Sequence, residues 1–310
     1  MDRMGSETLE MGIIFLTQTG IGILGNSFLL CLYIFILLTE YKLRHIDLIL
    51  KQLVLANLLV LFSKGVPQTM AAFGLKYFLN DAGCKVVFYF HRVATGVSFS
   101  TVCLFNGFQV IKLNSSVCRR LELKMRSLKF IGFCCCLCWI LHLMINAFVP
   151  ITVNGPLNSK NLSVKTNYGH CSWNMRIRFK ILNMIIYFSP EIMSLGFMIW
   201  ASIFMVVILL RHKRRVCHIH GHRLSPRPSH EARATYIILI LVSSFVSLYS
   251  FSTISTISMT LFANPGQWMM NSFVVVTSCF PTFSPFVLIS SYTRVSQLCF
   301  AQCAKKSFFS

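Results

Sequence analysis

Ionisable side chains lie inside the long apolar stretches of this sequence, where they are candidates for chemistry. The candidates are Lys51, Lys64, His91, Arg92, His142 and Glu191. A charged group in hydrocarbon is costly, so each is expected to find a partner, reach the membrane surface or serve a function. The long alkyl stems of Lys51 and Lys64 predict that they extend toward the inner and the outer surface, respectively. Glu191 follows Pro190 and has no such route, so we expect it to pair with a buried cation or to contact a ligand.

Two segments have the composition of metal sites but not the geometry. One is the run Cys134, Cys135, Cys136 and Cys138. Successive helix positions differ by about 100°, so these thiols cannot converge on one tetrahedral zinc ion, and we interpret them as packing residues. The run 217–222 mixes one cysteine with three histidines, and we expect this basic segment to be solvated. The sequence predicts no metal and no cofactor.

Motifs for catalysis are absent from the sequence. It contains no Ser-x-x-Lys, no His-Glu-x-x-His and no cluster of carboxylates. An enzyme needs a convergent set of such groups. We therefore predict that the protein is not an enzyme.

The elements that carry these residues are seven long apolar stretches. They cover about 11–38, 46–69, 86–111, 128–150, 180–210, 234–262 and 268–290. A helix needs roughly 20 mostly apolar residues to cross a bilayer. Mean hydropathy is +0.65, and only 12% of residues are charged. The sequence predicts an all-α membrane protein, in which residues 1–310 form one domain built as a seven-transmembrane helix bundle.

The distribution of Lys and Arg predicts the orientation of the bundle. With the N-terminus outside, the inner loops and the C-terminal end carry about twice as many Lys and Arg residues as the outer loops. The N-terminus is therefore expected to be extracellular and the C-terminus cytoplasmic. The net charge of +20 follows this topology instead of forming one groove-lining face, so we predict no nucleic-acid partner.

Two extracellular features follow from this orientation. Cys84 opens the third helix, just before the apolar stretch 86–111, and Cys171 lies in the second outer loop. A disulfide persists in that oxidising compartment, so we predict a bond between them, with two free thiols as the alternative. The same loop carries the sequon Asn161-Leu162-Ser163, which we expect to be glycosylated. The sequon at Asn114 falls in a cytoplasmic loop and is expected to stay unmodified.

Several polar runs add a family resemblance to this architecture. They are His91 to Ala94, Gly96 to Ser100, Gly107 to Gln109, Ile111 to Asn114, Val153 to Asn158, Arg223 to Arg233 and Cys279 to Phe286. In these runs, and over nearly its whole length, the chain resembles the vomeronasal type 1 receptors, a family of G-protein-coupled pheromone receptors. The resemblance implies a small pheromone or odorant ligand, a heterotrimeric G protein of the inhibitory type and a multi-pass plasma-membrane location.

The chain differs from rhodopsin-like receptors in ways that resemble this family. Neutral Asn57 stands where rhodopsin-like receptors have a buried aspartate, so a sodium site is not expected. Phe108-Gln109-Val110 replaces their Asp-Arg-Tyr motif, and helix six lacks the usual Trp and Pro. The activation mechanism therefore stays open.

Candidate contact residues lie at both ends of the bundle. His91 is seven residues beyond Cys84, roughly 10 Å deeper in the membrane. The candidates for ligand contact are His91, Arg92, Thr95, Phe99, Asn183, Tyr187, Tyr249 and Ser278. Each could instead serve in packing between helices. The candidates for the G-protein face are Gln109, Lys112, Leu113 and Arg233.

The sequence also predicts lipid partners and leaves two alternative protein classes. Lipids are expected partners of the basic inner loops. A bitter-taste-like chemoreceptor is an alternative class, but it would lack the Ser-Pro-Arg-Pro-Ser-His run at 225–230. A membrane transporter is a second alternative, and it would show internal repeats, which this sequence does not.

Overall fold

The structure is a computed structural model, and most of the apolar stretches fall within the part that it describes. The described residues are 2–38, 45–75, 78–113, 127–155, 165–168, 171–174, 180–219, 240, 243–248, 250–251, 254 and 267–291.

Helices dominate the described residues. In chain order they are α1 (Asp2–Leu38), α2 (His45–Val60), a π-helical segment (Leu61–Gly65), α3 (Val66–Ala72), α4 (Asp81–Leu113), α5 (Leu128–Ile145), α6 (Val149–Thr152), α7 (Lys180–Ile219) and α8 (Gln267–Ser291). Five stretches are long and apolar enough to cross a membrane: Leu9–Leu38, His45–Ala72, Asp81–Ile111, Leu128–Thr152 and Asn271–Ile289. A shorter apolar stretch, Ile192–Ile208, lies within α7. The protein is thus a helical membrane protein.

Several helices extend beyond the predicted apolar stretches. α1 begins at Asp2 instead of residue 11, and α7 ends at Ile219 instead of residue 210. Hydropathy indicates only the residues that lie in hydrocarbon. A helix can extend beyond them into polar sequence, because backbone hydrogen bonds also form there. Of the sixth predicted stretch, 234–262, the structure describes only short helical pieces, the longest being 243–248.

The second predicted stretch is interrupted, where the sequence predicted one regular helix. The π-helical segment separates α2 from α3, and Pro67 lies at the start of α3. Proline has no backbone N–H and cannot donate to the carbonyl four residues earlier, that of Ser63. The Ser63 hydroxyl donates to the carbonyl oxygen of Leu59 at 2.6 Å, and the Thr69 hydroxyl donates to that of Gly65 at 2.8 Å. Side chains thus supply hydrogen bonds around the irregular turn.

A small antiparallel sheet accompanies the helices. Its strands are β1 (Val153–Asn154), β2 (Lys165–Tyr168) and β3 (Cys171–Asn174), in the order β1-β3-β2. Val153 lies opposite Trp173, and Tyr168 lies opposite Cys171. The sheet packs at the N-terminal end of α4, and we call this side of the bundle the sheet end.

The central helix of the bundle is α4, which contacts α2, α5, α6 and α7. Its buried Phe99, Val102 and Phe105 share one apolar core with Leu53 of α2 and Met198 of α7. Large apolar side chains elsewhere point outward, as expected for surfaces that face lipid. Examples are Leu24, Met144 and Met193, which are 72%, 72% and 76% exposed.

The cysteine run of α5 has the dispersed geometry that helical periodicity predicts. Cys135 is buried, Cys136 is exposed, and Cys134 and Cys138 are intermediate. The thiols therefore point in different directions from one helix. In the 217–222 run, only the backbone of 217–219 at the end of α7 belongs to the described part.

Candidate ligand-binding site

A disulfide joins the sheet to the bundle. Cys84 in the first turn of α4 is bonded to Cys171 at the start of β3, with the two sulfurs 2.03 Å apart. Both residues are buried, and they pack with Val149 and Val153 in a small apolar cluster. The loop that contains the sheet is thus covalently held at one end of the central helix.

A second anchor lies beside the disulfide. The backbone N–H of Gly155, directly after β1, donates to Oδ1 of Asp81 at 2.7 Å, and Lys85 forms an ion pair with Oδ2 at 2.6 Å. A Cβ atom on Gly155 would lie 2.8 Å from the Asp81 Cα. Because that neighbour is backbone, only glycine fits this approach without displacement of the loop or the helix.

Four basic side chains lie together inside the sheet-end half of the bundle. They are Lys64 of the π-helical segment, His91 and Arg92 of α4, and His142 of α5. The Arg92 guanidinium is within electrostatic range of the other three. The buried Nδ1 of His91 has no hydrogen-bond partner among the residues that the structure describes. We call these four residues the basic cluster.

The Lys64 side chain does not extend toward the outer membrane surface, although its long alkyl stem predicts this. Its ammonium donates to the Thr277 hydroxyl of α8 and lies 4.1 Å from the centre of the Phe273 ring. The Thr277 hydroxyl in turn donates to the carbonyl oxygen of Phe273 at 2.9 Å. The ammonium is therefore directed across the bundle toward α8, instead of toward the outer surface as the sequence predicted.

His142 fixes the contact between α5 and α4. Its Nε2 lies 2.8 Å from the Ser100 hydroxyl. A Cβ atom at Gly96 would lie only 2.2 Å from its Nδ1. The ring therefore occupies the space left by the missing side chain of Gly96, one turn below Arg92.

The other predicted ligand contacts have mixed placements. The Thr95 hydroxyl donates to the carbonyl oxygen of His91 at 2.8 Å, within α4. Phe99 is 3% exposed, and its ring packs edge-to-face on Phe245 at 5.3 Å between centroids. Ser278 is buried in α8. The side chains of Asn183, Tyr187 and Tyr249 lie outside the described part. Their roles stay predictions.

The residues predicted for the G-protein face, and the predicted glycosylation site, are described only in part. Gln109 is buried in α4. Lys112 and Leu113 end that helix, but their side chains are outside the described part, as are Arg233 and the sequon residue Asn161. Their roles also stay predictions.

Hydrogen bonds between neutral groups join three helices around Asn57. This is the position at which the sequence predicted no sodium site. The Asn57 amide of α2 donates to the Ser284 hydroxyl of α8 at 2.8 Å. The Ser98 hydroxyl of α4 donates to the amide oxygen of Asn57 at 3.1 Å. Nearby, the Asn26 amide donates to the carbonyl oxygen of Pro281 at 2.7 Å. An amide can donate and accept together, so it connects two hydroxyls without a buried charge.

Together these features define a multi-helix membrane protein with a disulfide-anchored loop over a polar, basic interior. Residues 9–301 match the vomeronasal organ pheromone receptor family. Human vomeronasal type-1 receptor 1 is 61% identical over 308 residues, which make up 99% of this chain and 87% of that receptor. The chain therefore belongs to the vomeronasal type 1 receptor family.

More distant relatives support the same assignment. Human vomeronasal type-1 receptor 4 is 46% identical over 300 residues, or 96% of this chain and 99% of that receptor. Olfactory receptor class A-like protein 1 of Danio rerio is 30% identical over 286 residues, or 92% of this chain and 90% of that protein. This is a family of chemosensory receptors and not of enzymes.

Proposed function

We propose that this protein is a seven-helix receptor of the plasma membrane that detects small pheromone or odorant molecules and activates a heterotrimeric G protein of the inhibitory type. In the proposed orientation the sheet end is extracellular and the C-terminus is cytoplasmic. The basic inner loops would then face the G protein and the anionic lipids of the inner leaflet.

The observation that carries the proposal is a polar site beneath an anchored loop. His91 and Arg92 lie in α4 about two turns beyond Cys84, below the Cys84–Cys171 disulfide. Polar groups at membrane depth are costly, and they occur chiefly where they serve a function or pair with one another. A ligand that binds one arrangement of the helices better than another shifts the population toward that arrangement.

A cell assay tests this function. Cells that express the full-length chain are exposed to a panel of volatile and steroid-like molecules while cyclic AMP is measured. We expect a dose-dependent fall in cyclic AMP for at least one molecule, and we expect pertussis toxin to abolish it. Cells that express the Cys84→Ser variant are measured in parallel, because this variant lacks the disulfide that anchors the loop. A response that survives the toxin would contradict the inhibitory-type G protein.

A further inference from the structure

The predicted spanning stretches contain more basic than acidic residues. The seven predicted spanning stretches contain two acidic residues, Asp47 and Glu191. Asp47 lies in the first turn of α2, roughly 25 Å along the helix from Lys64. Glu191 can neutralise at most one of Lys64 and Arg92. Two cations and one carboxylate give these stretches a net positive charge at this depth.

The neutral contacts of Lys64 orient its charge without neutralising it. The Thr277 hydroxyl accepts one of the three ammonium N–H bonds, and the Phe273 ring faces the cation. A hydroxyl and an aromatic ring carry only partial charges. The π-helical segment that positions Lys64 is itself a rare conformation, and such segments are frequent at functional sites. The chain thus positions a cation here through several independent features.

We propose that Lys64, His91 and Arg92 form an anion-binding subsite for the carboxylate of an otherwise apolar small molecule. The planar guanidinium offers parallel N–H donors that match a carboxylate, and the ammonium contributes a point charge. His91 contributes a buried ring nitrogen with no hydrogen-bond partner in the described part of the chain. This inference rests on the proposed receptor function and names its ligand class.

The depth of the subsite favours a free small molecule over a lipid headgroup. Lys64 lies eight residues before the end of α3 at Ala72, or roughly 12 Å inside the sheet end of that helix. A lipid headgroup remains at the membrane surface, whereas a small acid can enter the bundle. The side chains of Lys64, His91 and Arg92 are half-buried, so each keeps part of its surface accessible at this depth.

The test uses the full-length receptor in lipid nanodiscs and three soluble probes of similar size. Benzoate is the anion, benzamide the neutral control and benzylammonium the cation. At about ten times its dissociation constant, benzoate is expected to raise the unfolding midpoint by roughly 3 °C. We expect benzamide to have a smaller effect and benzylammonium the smallest. Equal effects of the three probes, or no effect of benzoate, would overturn the proposal without need of any variant.

Variants assign the effect to this subsite. Lys64→Met keeps the length of the side chain and removes the charge, so it is expected to abolish the benzoate shift. Lys51→Met, in the same stretch but near its other end, is the matched control and should retain the shift. An unchanged shift in Lys64→Met would contradict the assignment.

The binding test and the signalling test can fail separately. If benzoate binds through Lys64 but no molecule changes cyclic AMP, the subsite stands and the receptor function fails. If only neutral molecules signal, and Lys64→Met leaves their potency unchanged, the receptor function stands and the subsite fails.

Discussion

The close contact between α4 and α5 gives a prediction whose size can be worked from the structure. Gly96→Ala would place a methyl group 2.2 Å from Nδ1 and 2.6 Å from Cε1 of the His142 ring. Both distances are far below van der Waals contact, so the ring has to leave its position. Its hydrogen bond to Ser100, now 2.8 Å long, would then be lost.

The expected cost is the sum of three effects. Overpacking costs about 1–3 kcal/mol. The lost hydrogen bond costs about 1 kcal/mol. Alanine is better than glycine inside a helix by about 1 kcal/mol, which offsets part of the loss. The net destabilisation is about 1–3 kcal/mol, or a fall of a few degrees in the unfolding midpoint.

A double-mutant cycle separates this contact from a general effect of alanine. The unfolding midpoint is measured in nanodiscs for Gly96→Ala, His142→Ala and the double variant. Without the ring, the added methyl group has no clash, so Gly96→Ala should become neutral or stabilising in the His142→Ala background. Gly196→Ala in α7 is the matched control, since nothing lies within 4 Å of its added Cβ. An equal effect at Gly96 and Gly196, or an undiminished cost in the double variant, would refute the reasoning.

Three further predictions concern the loop and the orientation. Gly155→Ala places a methyl group against the backbone at the start of α4; we expect faster hydrogen exchange in the loop, and unchanged exchange would refute the contact. Deglycosylation should shift the electrophoretic mobility of wild type but not of Asn161→Gln, and a glycan at Asn114 would reverse the orientation. Cys84→Ser should lower surface expression, and adding Cys171→Ser should lower it no further, since both remove one bond; a further loss would argue against it.

The helices could largely be predicted from the sequence, because hydrocarbon imposes a simple length and composition on a spanning helix. Five of the seven predicted stretches are confirmed as helices long enough to span. Their ends could not be predicted as well, since α1 begins before the apolar residues do. The π-helical segment was not predicted, because hydropathy does not report which carbonyl each N–H contacts. Pro67 was the available signal for that irregularity.

The depth of the candidate site was easier to predict than its composition. Helical rise placed His91 and Arg92 below Cys84, and the structure places them there. The direction of each side chain depends on how neighbouring helices pack, which one sequence does not specify. The sequence therefore predicted that Lys64 extends to the outer surface, whereas its ammonium contacts Thr277 and Phe273. The sheet was missed because its short polar strands have no apolar alternation and depend on the disulfide and Gly155 for position.

The central claim is that the basic interior of the bundle recognises the ligand of a signalling receptor. The most direct measurement is the potency of an agonist, once the cyclic AMP screen supplies one, in His91→Ala and Arg92→Gln at matched surface expression. Val86→Ala, at an exposed position of the same helix, is the control. The account predicts a loss of potency of about tenfold or more in at least one of the two site variants, equivalent to one hydrogen bond to a charged group, and no change in the control. Unchanged potency in both site variants at normal expression would contradict it.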